Sequence, residues 1–490
     1  MSGTRVGVLD RFIEWVLNDP KGIFWLAGMA GTGKTSIAVT LCRMLQKNPD
    51  VLLGGTFFCS RTASNEARSD IRRIIPTLVM SLAGRSSIFA ARVAAELRPR
   101  ADSGAAAFWS AGDQFRTLLQ KPLAAIASEK RPIVFVIDAL DETNNERELS
   151  TLLAAIADFS SPARVKFILT SRPETSFLGS RISDRTQSDI LHLHTIDPDE
   201  VTEDVRLYID QKFTQNPLYD DPEVWYSDRN VRALADASNG LFIFASTAVA
   251  YIIDTEAAQY RRERLSAVLT AVKNSTVLTG PLDNMYELVL TRASSTTSVE
   301  PKELATTQQA LACILKARMS LSVHALAELL GHKSNVLRDS LRRLRAVVHV
   351  PDELDQPGLR VLHATLGDYL FERAASGIRI SSSLGDSSFA HGCLKVMEDK
   401  LCFNVAQSRS SYEANPPRRP DSITLSLEYA CLQWVYHISS LPEGSTFDGD
   451  IDDVFRSRFL FWLEVMSIIG QVQRAAAMLN IAVSLVRLTS

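Results

Sequence analysis

The sequence predicts an open α/β domain built on a phosphate-binding loop, followed by a longer, mostly helical region. Three observations carry that prediction. The apolar run Ile23 to Ala27 leads into Gly28-Met29-Ala30-Gly31-Thr32-Gly33-Lys34-Thr35 and then into Ser36-Ile37-Ala38-Val39-Thr40-Leu41, which reads as strand, glycine-rich loop and helix start. A second continuous apolar run, Ile133 to Ile137, ends in Asp138 and is followed by Asp141 and Glu142, as a central parallel strand with acids at its carboxyl end would be. Beyond Pro198 the apolar residues recur chiefly at helical spacing.

Each part of the loop answers a need of a nucleoside triphosphate. Gly28, Gly33, Lys34 and Thr35 satisfy G-x-x-x-x-G-K-[ST]. Residues without side chains let backbone N–H groups close on phosphate oxygens, and a helix start presents unpaired N–H groups to the same anion. Gly28, Ala30, Gly31, Thr32, Gly33, Lys34, Thr35 and Ser36 are therefore expected to hold the phosphates, with Lys34 neutralising β- and γ-charge and the Thr35 hydroxyl placed on Mg²⁺.

At 490 residues the chain exceeds one core, and usual domain sizes suggest about three or four modules. A composition of 46% apolar and 22% charged residues is globular, and a formal charge of -3 leaves no global electrostatic footprint for nucleic acid. The six cysteines, at 42, 59, 313, 393, 402 and 431, form no C-x-x-C pair and no zinc pattern, which suits a reducing compartment. The first fifteen residues lack a secretory layout, and the longest apolar run, Leu241 to Ile253, is short of a bilayer span. A cytoplasmic protein without a membrane span is expected.

Taken in order, Val6, Leu9, Phe12 (or Ile13) and Val16 mark a short amphipathic helix before Asp19-Pro20. Arg5, just ahead of it, is expected to be solvated rather than to reach the nucleotide. Val51 to Cys59 reads as a second strand, with its register uncertain at Gly54-Gly55; Ile71 to Leu82 and Phe115 to Ala127 read as covering helices, and Pro99 to Gly112 as a loop. Ligands bind at the carboxyl edge of an open α/β sheet, so the acids should face the loop's crevice. Asp138 would hold Mg²⁺, and Asp141 or Glu142 would activate water, Glu142 being favoured and local backbone geometry deciding. Arg164 to Thr170 is a further strand, and Arg172 after it is placed to sense the γ-phosphate. Ile190 to Ile196 alternates as a fifth strand would, with His192 and His194 read as strand residues.

At this point GMAGTGKT, VFVIDALDE and LTSRP, in that order, resemble the NACHT branch of the STAND signal-transduction NTPases, the switches of NOD-like receptors and their fungal counterparts. Asn239 to Ala245 and Leu282 to Tyr286 look like the helical segments that follow NACHT in fungal members. The resemblance implies a five-stranded parallel sheet of the ASCE type, a helical domain and a winged-helix domain closing over the nucleotide. It implies bounds of 1–197, 198–292 and 293–378, then a C-terminal helical arm over 379–490. In plant relatives a proline here helps hold the adenine; Gly240-Leu241-Phe242 has none, which leaves the base-stacking residue and ATP against GTP open.

Pro198 to Phe213 and Trp225 to Ile253 supply helices, the second stretch broken at Asn239-Gly240. Glu303 to Ala317, a helix capped by Ser322 and stopped at Gly331, and Ser334 to Leu344 make three more, and Val347 to Val350 with Leu359 to His363 suggest a hairpin wing. Arg338, Arg342, Arg343 and Arg345 lie among core-spaced leucines as one solvated face, which argues against DNA. Leu362-His363-Ala364-Thr365-Leu366-Gly367-Asp368-Tyr369-Leu370 resembles the family's winged-helix histidine motif, which implies that His363 contacts the diphosphate of ADP. Ser381 to Ser388 and Gln407 to Ser422 read as connectors, and Phe389 to Leu401, Leu425 to Ile438 and Phe459 to Leu488 as helices, with Tyr429, Trp434, Tyr436, Phe461 and Trp462 in their core. No 20- to 50-residue repeat follows, so no sensor array is expected, and separately no N-terminal effector domain is expected.

The expected function is a slow Mg-ATP or Mg-GTP switch with ATP/ADP and Mg²⁺ as cofactors, acting through self-association or protein partners. A non-hydrolysing nucleotide scaffold, a winged-helix DNA-binding regulator and a motor-type AAA+ ATPase are the alternatives.

Overall fold

The computed structural model describes residues 3–60, 66–98, 109–159, 164–173, 188–217, 225–254, 259–273, 280–294, 301–375, 379–407, 409, 415, 420–442 and 448–489. They fall into two compact units, one running to Leu282 and the other starting at Asp283.

The first unit is built on five parallel strands, β1 (Ile23–Ala27), β2 (Leu52–Phe58), β3 (Ile133–Asp138), β4 (Val165–Ser171) and β5 (Ser188–His192). Their order is β2-β3-β4-β1-β5. The three inner strands are buried along their whole length, which is why apolar residues dominate them. Alternate residues feed two cores. Phe24, Leu26, Val134, Val136 and Ile168 pack with α1 (Val6–Asn18) and α2 (Lys34–Lys47). Trp25, Phe135, Ile137, Phe167 and Leu169 face the other way, toward α3 (Ile74–Ala83), α4 (Ser87–Leu97) and α5 (Glu146–Ala157).

Because the strands are parallel, Ala27, Asp138 and Ser171 end at one rim; Ala27 and Ser171 are direct partners across β1 and β4. The uncertain register at Gly54-Gly55 is a shift in the β2–β3 pairing between Leu53 and Gly55. A Cβ at Gly54 would stand 2.7 Å from the Phe135 ring, so the bulge needs glycine.

Several expectations are corrected. The buried face of α1 is Val8, Leu9, Phe12, Trp15 and Val16, while Val6 is 50% exposed. β5 stops at His192, and Leu193–Thr195 form a 3₁₀ turn that delivers the chain to Asp197. Residues 99–108 of the expected loop lie outside the described residues, and Ala111–Gln114 are already helical.

Asp197 caps α6 (Pro198–Thr214) by accepting from Asp199 N–H, with proline in its first turn. A Ser227/Asn230 capping box starts α7 (Asp228–Ala237). Asn239 (φ 45°) and Gly240 (φ 75°) turn the chain into α8 (Phe242–Ile252), as expected, and α9 (Arg261–Lys273) follows.

The second unit holds α10 (Pro281–Ser294, from Asp283 on), α11 (Pro301–Lys316), α12 (Val323–Leu329) and α13 (Ser334–Arg342), then the antiparallel hairpin β6 (Val348–His349) and β7 (Arg360–Val361). The Ser322 cap and the Gly331 stop are both present, the hydroxyl accepting from Ala325 N–H and the glycine at φ 68°. Arg343 pairs with Glu303 at 3.0 Å and Arg345 with Asp352 at 3.5 Å, so the arginine face is partnered by acids.

The arm comprises α14 (Leu384–Lys400), α15 (Leu425–Ser439), α16 (Asp448–Ile468) and α17 (Val472–Thr489). Its first helix starts inside the expected 381–388 connector, and the expected 459–488 helix is two, parted at Gly470 (φ 69°). Most of the other connector, 407–422, lies outside the described residues. Tyr429, Trp434 and Trp462 are fully buried; Tyr436 and Phe461 are half-buried. No helix among the described residues is long and apolar enough to cross a membrane.

Candidate functional site

The loop after β1 continues the sheet by one bond, Gly28 N–H to Ser171 C=O at 3.2 Å, and then leaves it. Gly31 (φ 80°) and Gly33 (φ 93°) take left-handed backbone that reverses the chain onto α2. The first backbone bond closing that helix is Ile37 N–H to Gly33 C=O at 3.0 Å, so the N–H groups of Lys34, Thr35 and Ser36 precede the ladder. Thr35 and Ser36 are exposed, on the open side. This is an anion site made of backbone.

Lys34 folds back over the loop, its Nζ donating to the carbonyls of Gly28 at 2.5 Å and Met29 at 2.9 Å. Burial lowers its pKa, opposed by the nearby carboxylates of Asp141, Asp138 and Glu142 and assisted by Arg172. The lysine of the loop, the acids after β3 and the arginine after β4 are therefore within electrostatic reach of one another.

Asp138 is 1% exposed at the end of β3. Its carboxylate accepts from the Thr170 hydroxyl at 2.5 Å, and the Thr35 hydroxyl is near enough to influence it. Burial raises its pKa, and those two hydroxyls pull it back. Two oxygens from separate motifs thus meet beside the loop, a donor set that suits a hard divalent cation such as Mg²⁺. Among the described residues no group of three or more His, Cys, Asp or Glu is placed to hold a metal, so the phosphates and water would complete the shell.

Ala139, a non-glycine residue at φ 56°, turns the chain sharply into the Leu140–Glu142 3₁₀ turn. Its N–H donates to Thr170 Oγ1 at 2.9 Å, so one threonine holds both the acid and the strained turn after it. Thr170, which in the sequence reads only as a strand residue, is thus part of the site. Asp141 receives Arg172 twice, from the backbone N–H at 3.0 Å and from Nε at 3.2 Å.

Arg5 is the clearest correction. It is 5% exposed, not solvated: its N–H donates to Asp204 Oδ2 at 3.1 Å and its Nη2 to the Thr32 carbonyl at 3.4 Å. Its guanidinium carbon lies 5.3 Å from the centre of the Phe242 ring, and burial lowers its pKa. Phe242 stands where the sequence left the base-stacking residue open, its ring 3.8 Å from where a Cβ on Gly33 would be. His192 and His194 sit beside one another with ring centres 5.1 Å apart.

His363 belongs to the second unit. Its Nδ1 accepts from Thr365 N–H at 3.3 Å and meets the Thr365 hydroxyl at 2.8 Å, which fixes the neutral ring's proton on Nε2. That hydroxyl is in turn 2.8 Å from the Tyr286 hydroxyl.

Residues 3–172 match the family model described as Nephrocystin 3, N-terminal. Vegetative incompatibility protein HET-E-1 of Podospora anserina is 23% identical over 94% of this chain; the chain spans 34% of that relative's length. Among solved structures, a STAND protein with a tetratricopeptide repeat sensor from Pyrococcus horikoshii is 10% identical, with 98% of this chain and 57% of that one covered and a TM-score of 0.43. A Walker-type ATPase of Pyrococcus abyssi is 14% identical over 74% of this chain and 95% of its own, with a TM-score of 0.36.

Proposed function

We propose that this chain works as a NACHT-type STAND signalling switch that binds Mg-ATP or Mg-GTP, hydrolyses it slowly, and changes its domain arrangement with the phosphate state, a reading supported by the match over residues 3–172 and the distant likeness to HET-E-1. The observation that carries the reading is that Thr35 and Lys34, on the phosphate loop, lie close enough to the buried carboxylate of Asp138, at the end of β3, to act on it. Loop and acid are 103 positions apart, yet they lie at one rim, where the lysine and two further carboxylates, Asp141 and Glu142, also gather.

In this scheme the N–H groups opening α2 and the ammonium of Lys34 take the phosphate oxygens, and Thr35 with Asp138 holds Mg²⁺. The cation would neutralise phosphate charge. Glu142 orients the attacking water, and Arg172 responds to the γ-phosphate. His363 links the 293–378 segment to the diphosphate, so that loss of the γ-phosphate alters how the domains close. The family match and the distant HET-E-1 likeness support this reading; the base, the trigger and the partner are the finer parts of the proposal.

The test is mass spectrometry of the nucleotide released from purified protein, combined with size-exclusion mass in ADP and in a non-hydrolysable ATP analogue. Bound nucleotide and a nucleotide-dependent mass or shape are expected. Protein that carries none, fails to bind either nucleotide in titration and elutes identically in both would end the proposal.

A further inference from the structure

Two neighbouring carbonyls of the phosphate loop are held from outside the sheet. Ile243 N–H, in the first turn of α8, donates to Gly31 C=O at 3.1 Å, and the Ile243 side chain fills the space over that glycine so closely that a Cβ there would lie 2.2 Å from its Cγ2. The next carbonyl, Thr32, takes Nη2 of Arg5 at 3.4 Å. In a trans peptide the C=O and N–H point opposite ways, so drawing the Thr32 carbonyl toward Arg5 turns Gly33 N–H to the far side, into the phosphate crevice.

Arg5 also reaches the helices after the sheet. Its backbone N–H donates to Asp204 Oδ2 on α6 at 3.1 Å, its Nε lies 3.9 Å from the same oxygen, and Phe242 at the start of α8 lies against its guanidinium. The residue adopts left-handed backbone (φ 55°, ψ 31°), a conformation that side-chain-bearing residues avoid unless the surroundings enforce it. Its Nε and Nη1 are buried and make no hydrogen bond. A buried cation so placed, strained and short of acceptors, fits a contact that is made and released better than a static brace.

We propose that Arg5 is a positioning residue that couples the phosphate loop to α6 and α8, so that the order of these two helices reports whether the loop holds phosphate. The inference rests on the switch reading above and supplies its first transmission step. When phosphate fixes Gly33 N–H, the Thr32 carbonyl stays on Arg5, and Arg5 stays on Asp204. When the peptide is released, both contacts loosen together.

Hydrogen–deuterium exchange on the full chain tests this, with and without Mg-ADP, in wild type, Arg5→Ala, Arg5→Lys and Asp204→Asn. In wild type Mg-ADP should slow exchange in 199–214 and 243–252. In Arg5→Ala those segments should exchange about tenfold faster without nucleotide and no longer respond to it, while titration shows Mg-ADP affinity reduced by less than about tenfold. Arg5→Lys keeps the charge beside Asp204 and should recover protection without nucleotide but not the response. A nucleotide response in Arg5→Ala equal to wild type overturns the proposal. If Arg5→Ala does not fold, an undiminished response in both Arg5→Lys and Asp204→Asn overturns it equally. Wild type that binds no nucleotide defeats the switch reading instead; the Arg5 contact is then judged on exchange without nucleotide, and rates in Arg5→Ala equal to wild type dismiss it.

Discussion

Arg172 engages both oxygens of Asp141, its N–H donating to Oδ1 at 3.0 Å while its Nε stands 3.2 Å from Oδ2. A carboxylate so occupied is a poor base, and water activation by Glu142 is the proposal to be tested. Glu142→Gln should lower single-turnover phosphate release by about 10²- to 10³-fold with nucleotide affinity nearly unchanged. Asp141→Asn should act differently, by loosening Arg172, and lower affinity for the triphosphate more than for ADP. Equal turnover in wild type and Glu142→Gln would return the role to Asp141 or leave the protein without hydrolysis.

Lys34 sits among the charges of Asp138, Asp141, Glu142 and Arg172 with its ammonium on two loop carbonyls. Nucleotide supplies better acceptors, so Lys34 should change partners on binding. Lys34→Ala is expected to weaken binding by at least about a hundredfold, ~2.7 kcal/mol. Isothermal titration showing wild-type affinity would remove the loop from the site.

Asp138 makes function and stability pull apart. Its folded pKa is raised by burial, so the folded state binds more protons than the unfolded one across the carboxylate range and stability falls as pH rises through it. Asp138→Asn should therefore raise the melting temperature of the nucleotide-free protein at pH 7, with the gain fading as pH falls from the raised folded value to the ordinary aspartate value. The same variant should lose the Mg²⁺ dependence of nucleotide binding. A variant that melts lower at pH 7 and keeps its Mg²⁺ response would contradict both halves.

What the sequence made legible is what short-range patterning encodes. The phosphate loop, the acid-ended strand, the Ser322 cap and the Gly331 stop each lie within a few residues of the feature they specify. Contacts across long separations were not legible. Nothing near Arg5 announces that residue 204 will return to it, and Thr170 looks like any strand residue until β3 is laid beside β4. The arm shows the same limit: buried His437 joins Asp386 at 2.8 Å and the Tyr429 hydroxyl at 2.7 Å, a polar chain that an apolar helix pattern does not disclose. β5 ends at His192 although the alternation in Ile190 to Ile196 continues past the point where the chain leaves the sheet.

Lys166 yields the last prediction. It lies within the apolar run of β4 and is 3% exposed, yet it is the ammonium that closes the opposite end of the sheet. Its Nζ donates to the carbonyls of Asp19 at 2.5 Å, Lys21 at 2.6 Å and Trp15 at 3.4 Å, and lies 4.2 Å from the centre of the Trp15 ring. Those carbonyls belong to the end of α1 and the turn into β1, so one side chain ties the helix to the sheet. Lys166→Met keeps the bulk and removes the donors, which should destabilise the fold by about 2 kcal/mol in denaturant titration. Burial pulls the lysine down to about 8, below its unfolded value, so the unfolded state binds more protons between about pH 8 and the ordinary lysine range, and wild-type stability should rise with pH across that window. The rise should be absent in Lys166→Met. A variant as stable as wild type, with the same pH slope, would show that water serves these carbonyls as well as the lysine does.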